Sequence, residues 1–175
     1  MNVTFHALGS FATAAVLSLK SAEGEFFGLK KSSTWLKMLI GFVAGILVHG
    51  VLDFLPHQYP LPSKFDVIFA LVLLALTIFL AQKQNWLLIL VCFGGAIFPD
   101  VLDLSAEIAK KYLGISLPSF SFKIFPWHWK QYSGSIYDGS RSLESNIYYI
   151  SILLICFGLI YAYRKQFFRF WEDKK

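Results

Sequence analysis

The residues able to do chemistry in this chain sit inside or beside apolar segments. The histidines are His6, His49, His57 and His128. The densest stretch is His49-Gly-Val-Leu-Asp53-Phe-Leu-Pro-His57, and a second is Phe98-Pro99-Asp100-Val-Leu-Asp103. Residues four apart share a helix face, so His49, Asp53 and His57 fall nearly in line, and Asp100, Asp103 and Glu107 line another face. Pro56 can end the first helix early, letting His57 swing in from the loop, and Pro99 marks a kink or a helix restart. Imidazoles and carboxylates at this spacing are what a metal site needs, and they are costly at the rim of an apolar bundle otherwise.

Mixed nitrogen and oxygen donors suit Zn²⁺, and also Mn²⁺ or Fe²⁺. The expected ligands are His6, His49, Asp53, His57, Asp100, Asp103 and His128, for one to three ions. Such an ion acidifies a bound water and supplies a hydroxide nucleophile. An unliganded carboxylate, Asp53 or Glu107, would orient that nucleophile or take its proton. Lys123, Lys130 and Arg141 are the candidate phosphate-binding cations. Plainer roles stand beside these: a hydrogen-bonded His49–Asp53 pair, helix caps at Asp100 and Asp103, and an interfacial anchor around His128.

The elements that position these groups are read from composition and hydropathy. Hydrophobic residues make up 56% of the 175 and charged residues 15%, against about 45–50% and about 25% in soluble proteins. A mean hydropathy of +0.56 points to a membrane protein. The net charge of +5 comes without a dense basic run, which argues against nucleic acid and for anionic lipid headgroups. Cys92 and Cys156 lie in apolar segments and read as small core hydrophobes. No Lys or Arg precedes His6, so a signal-peptide n-region is missing and the first segment is expected to be retained.

The apolar segments predict one all-α membrane bundle over 1–175, with helices at about 3–19, 35–55, 67–81, 86–104 and 147–163. The long loop 105–145 opens with a helical extension ended by Gly114. Its run Phe120 to Lys130 is dense in aromatics, which favour the membrane interface. Five spans put every candidate ligand on one face. The denser positive charge, in 20–31, Lys83 and the tail, marks the other face as cytoplasmic.

At three of these motifs the chain resembles the membrane-bound metal-dependent hydrolases, an inner-membrane-associated family. The motifs are Thr4-Phe5-His6, the His49 to Pro62 stretch, and Phe98-Pro99-Asp100-Val-Leu-Asp103. The family is distantly similar to the zinc-dependent phospholipases C, all-helical enzymes with clustered His and Asp. The resemblance implies phosphoester hydrolysis, with membrane phospholipid a natural substrate, in a prokaryotic inner or plasma membrane. Two departures are plain. The HxxxD motif here precedes the Pro-Asp motif, and the family's two-histidine stretch has as its counterpart the single His128 of Trp127-His128-Trp129-Lys130.

Overall fold

The computed structural model describes residues 1–18, 25–26, 29–30, 34–118 and 122–171. Its long elements are all helices: α1 (Val3–Leu17), α2 (Thr34–Phe54), α3 (Ser63–Leu80), α4 (Trp86–Leu113) and α5 (Ser142–Ala162). A two-residue antiparallel ladder pairs β1 (Glu25–Phe26) with β2 (Leu29–Lys30). A short α6 (Arg164–Phe167) follows α5.

Four helical stretches, Trp35–Phe54, Ser63–Leu80, Lys83–Lys111 and Ser142–Ala162, are long and apolar enough to cross a membrane. The first segment differs from the expected fifth span. It is shorter, and α2, α3, α4 and α5 all pack against it. Small residues allow this: Ala7, Gly9, Ser10, Ala12, Ala14 and Ala15 are all buried. The surrounding helices turn apolar stripes outward instead. Leu39, Val43, Leu47 and Val51 on α2 recur every fourth residue and are exposed, as suits a lipid-facing helix surface.

α2 and α4 form the closest pair. A Cβ on Gly45 would collide with the Cys92 carbonyl, and one on Gly95 with the Phe42 carbonyl. Small residues at a crossing let membrane helices approach this closely. Gly41, Gly45, His49 and Asp53 follow one another at every fourth position. The face of α2 that meets α4 is therefore also the face that carries the chemistry.

Three boundaries move from their expected places, the first being α5, which begins at Ser142 and not at about 147. α3 begins at Ser63, which brings Asp66 into its first turn. α4 continues through Pro99 without a restart, absorbs the predicted extension, and ends at Gly114 in the left-handed region (φ 68°). The following loop is tied to other elements by backbone hydrogen bonds. It folds back on the α2–α3 linker, where the Gly134 N–H donates to the Asp53 carbonyl at 2.8 Å and the Ile136 N–H to the His57 carbonyl at 2.8 Å. Its aromatic run 120–130 is described from Phe122 onward. At the opposite end, Gln82 and Asn85 hold the C-terminal segment by side-chain bonds of 2.8 Å to the Lys165 and Gln166 carbonyls.

Candidate metal centre

α2 brings His49 and Asp53, α4 brings Asp100, and a 3-10 turn at Pro126–His128 brings His128. One ligand atom from each lies within 4.8 Å of the other three. His49 Nε2 is 3.3 Å from His128 Nε2, 3.3 Å from Asp53 Oδ2 and 3.6 Å from Asp100 Oδ1. His128 Nε2 is 3.5 Å from Asp53 Oδ2 and 3.3 Å from Asp100 Oδ1. Metal–ligand bonds of about 2.0–2.1 Å in a tetrahedron imply ligand-to-ligand edges of about 3.3–3.4 Å. Five of the six edges here are 3.3–3.6 Å. The donor set fits a divalent ion.

The supporting contacts point the same way. His49 Nδ1 faces the Ala96 carbonyl at 2.6 Å, so this nitrogen must carry the proton and donate it. Pro99 belongs to the same turn of α4 and cannot donate to the Gly95 carbonyl, which loosens the ladder there. His128 Nδ1 donates to Asp103 Oδ2 at 2.8 Å. Each imidazole therefore turns its Nε2 lone pair toward the carboxylates, the tautomer a metal ligand requires. Asp103 meets His128 from the far side of the ring and lies outside the four-residue group. Its carboxylate also accepts the Ile124 and Phe125 N–H groups at 2.8 and 2.9 Å, fixing the turn that delivers His128.

The electrostatics call for positive charge. Asp53 is in the last turn of α2, at the negative end of that helix dipole, where a carboxylate is disfavoured. Burial alone opposes charge on His128, but Asp100, Asp53 and Asp103 outweigh it and push its pKa up to about 10. A divalent ion would supply that charge in place of the proton. The Met1 amino group also contacts Asp53 Oδ1.

His6 joins this cluster. Its ring stacks on His49 with centroids 4.0 Å apart, and its Nε2 is 3.2 Å from Asp53 Oδ1. His57 does not join. Its Nδ1 donates to the Leu55 carbonyl at 2.7 Å, and its Nε2 meets Ser135 Oγ at 3.1 Å and the Tyr59 hydroxyl at 3.2 Å. Burial pulls its pKa down to about 4. Pro56 turns the chain away from the helix, and the linker carries His57 into the returning loop.

Glu107 is also outside the cluster. It is exposed and pairs with Lys123 at 2.7 Å, and it lines a cavity shared with Asp53 and Asp100, which Lys123 does not. Lys123 also donates to the Asp103 carbonyl at 2.7 Å, bracing the His128 turn. Lys130 is exposed, and Arg141 is an exposed partner of Glu144 at 3.6 Å. Among the described residues, the lysines that line the cavity are Lys64 and Lys111. This cavity of about 900 Å³ has Asp53, Asp100 and His128 in its wall.

Asp66 escaped the sequence reading. It accepts from the Val3 N–H at 2.6 Å, the Thr4 N–H at 3.1 Å and the Thr4 hydroxyl at 2.7 Å. A carboxylate from α3 thus caps α1 and sets the height of His6. Its signal was a lone acid at the edge of an apolar run, obscured by starting that helix four residues late. Comparisons with family models, curated proteins and solved structures return no match.

Proposed function

We propose that the chain is a metal-dependent membrane hydrolase acting on a phosphoester, with a phospholipid as substrate. The observation that carries this reading is the tetrahedral spacing of His49, Asp53, Asp100 and His128 at the wall of a large cavity. These residues would hold the ion, which would acidify water and polarise a phosphoryl oxygen. Zinc is favoured by the donor set, with Mn²⁺ or Fe²⁺ next.

The cavity supports an amphiphilic substrate. Val67, Ile68 and Ile108 give it an apolar wall, and Lys64 and Lys111 offer charge for a phosphate. α3 rests mainly on α1 and has no extended contact with α4, so lipid has a path between α3 and α4. Asp53, Asp100 and Glu107 line the same cavity, and of these Glu107 lies outside the ion-holding group and would be free of the ion to take a proton from water. The end carrying Arg164, Lys165 and Arg169 would face the cytoplasm of a prokaryotic cell, with the site at the opposite end.

Purified protein in detergent, loaded with Zn²⁺ or Mn²⁺, should release phosphorylated headgroup from phospholipid micelles and lose this activity in His49→Ala. Turnover unchanged by chelation and by His49→Ala would refute the proposal. A second reading has its own support: four protein donors can fill a tetrahedral ion, as closed structural sites do. That reading predicts a bound ion that stabilises the fold, with no turnover.

A further inference from the structure

We infer that the site holds two ions, the second bound by His6 Nε2 and Asp53 Oδ1, with Asp53 bridging the pair. This rests on the metal-centre reading above. His6 is 1% exposed, and neither ring nitrogen has a hydrogen-bond partner among the described residues. An imidazole in that position loses its hydration without replacement, a cost of roughly 1–3 kcal/mol for an unsatisfied group. Its Nε2 approaches Asp53 Oδ1 to 3.2 Å, yet the two are not aligned as a hydrogen bond. A shared cation would satisfy both atoms.

The stacking supplies the second part of the argument. His6 and His49 lie nearly parallel, 13° apart, with centroids separated by 4.0 Å. Each presents Nε2 to a different oxygen of one carboxylate, His6 to Oδ1 and His49 to Oδ2. Two ions held by these nitrogens would be separated by about the ring spacing. Hydrolytic two-metal sites have separations of about 3.5–4 Å, set so that the ions clamp the attacking and leaving oxygens of a phosphoester.

Asp53 Oδ1 already meets one positive group, the Met1 amine, and the second ion would displace it. Asn2, one helical turn before His6, has a buried Oδ1 without a partner among the described residues and lines the same cavity. The ion's remaining positions would face that cavity and take water or a phosphate oxygen.

The test is Mn²⁺ loading of the full chain in detergent, read by metal content and by electron paramagnetic resonance. The inference expects about two ions per chain with an exchange-coupled spectrum. His6→Gln should keep one ion and lose the coupling. One uncoupled ion in the unmodified protein would overturn the inference and leave the metal-centre reading intact. Two ions retained in a folded His6→Gln would also overturn it. No ion at all would remove both readings. If His6→Gln does not fold, the stoichiometry and coupling of the unmodified chain decide the matter.

Discussion

His49 and His57 are eight residues apart in sequence and lie at the same end of the bundle. Both rings are buried, and in both Nδ1 donates to a backbone carbonyl, that of Ala96 or of Leu55. Their Nε2 atoms face different chemistry. That of His49 looks onto Asp53, Asp100 and His128, whereas that of His57 meets the hydroxyls of Tyr59 and Ser135. Hydroxyls can rotate to donate a proton to the lone pair, so His57 is satisfied as a neutral hydrogen-bonded pin. Carboxylates cannot donate, so the Nε2 atoms of His49 and His128 need a positive charge between themselves and the carboxylates, which a proton on His128 or a divalent ion supplies. The partner of the second nitrogen separates a histidine suited to ligate a metal ion from a structural one.

The largest break in this comparison is His49→Ala against His57→Ala. His49→Ala should weaken ion binding by more than the roughly 100-fold that loss of an orienting partner costs. His57→Ala should keep its ion but lower stability by several kcal/mol, through a cavity and unpaired hydroxyls, on the order of 2–4 kcal/mol. Metal content and detergent unfolding of the two variants check both.

Next in size is a pH effect from the structural histidine. The His57 pKa is pulled from 6.5 to about 4 in the folded protein, because burial favours the neutral ring. Its contribution is complete above the unfolded value near 6.5 and is lost as pH falls toward 4. The loss amounts to at most about 3 kcal/mol. Unfolding followed from pH 7 to pH 4 should show this decline, and His57→Gln should flatten it.

Asp103→Ala sharpens the other side. His128 would lose the acceptor that fixes its tautomer, and the loop would lose the two N–H bonds that shape its turn. Ion affinity should fall about 10–100-fold with the four donors still present, as competition with a chromophoric chelator would show. The smallest effect belongs to the cavity rim. Lys64→Ala or Lys111→Ala should raise KM for an anionic lipid by a few fold, since each rim charge is worth about 1 kcal/mol. Ion content should not change.

Much of this arrangement is written in the local pattern. The bundle follows from apolar runs too long for strands, and the i, i+4 spacing of His49 and Asp53 survives intact because one α2 face carries both. Gly41 and Gly45 continue that spacing and explain how α4 comes close enough to add Asp100. The spacing rule failed at His57, where Pro56 ends the helix and the linker's own hydrogen bonds decide the side chain's direction. Glu107, further along α4, shares the cavity wall with Asp53 and Asp100 but pairs with Lys123 and lies outside the four-residue group. The roles of Asp103 and Asp66 depend on contacts with elements far along the chain. The buried setting of α1 depends on how four other helices close around its small residues, which its own apolar length does not reveal.

The central claim is that His49, Asp53, Asp100 and His128 hold a divalent ion. X-ray absorption at the edge of the ion that loads measures this directly. The account predicts nitrogen and oxygen neighbours at about 2.0–2.1 Å with imidazole scattering, diminished in His49→Ala and unaltered in His57→Ala. Failure to take up any divalent ion, or a spectrum indifferent to His49→Ala, would contradict it.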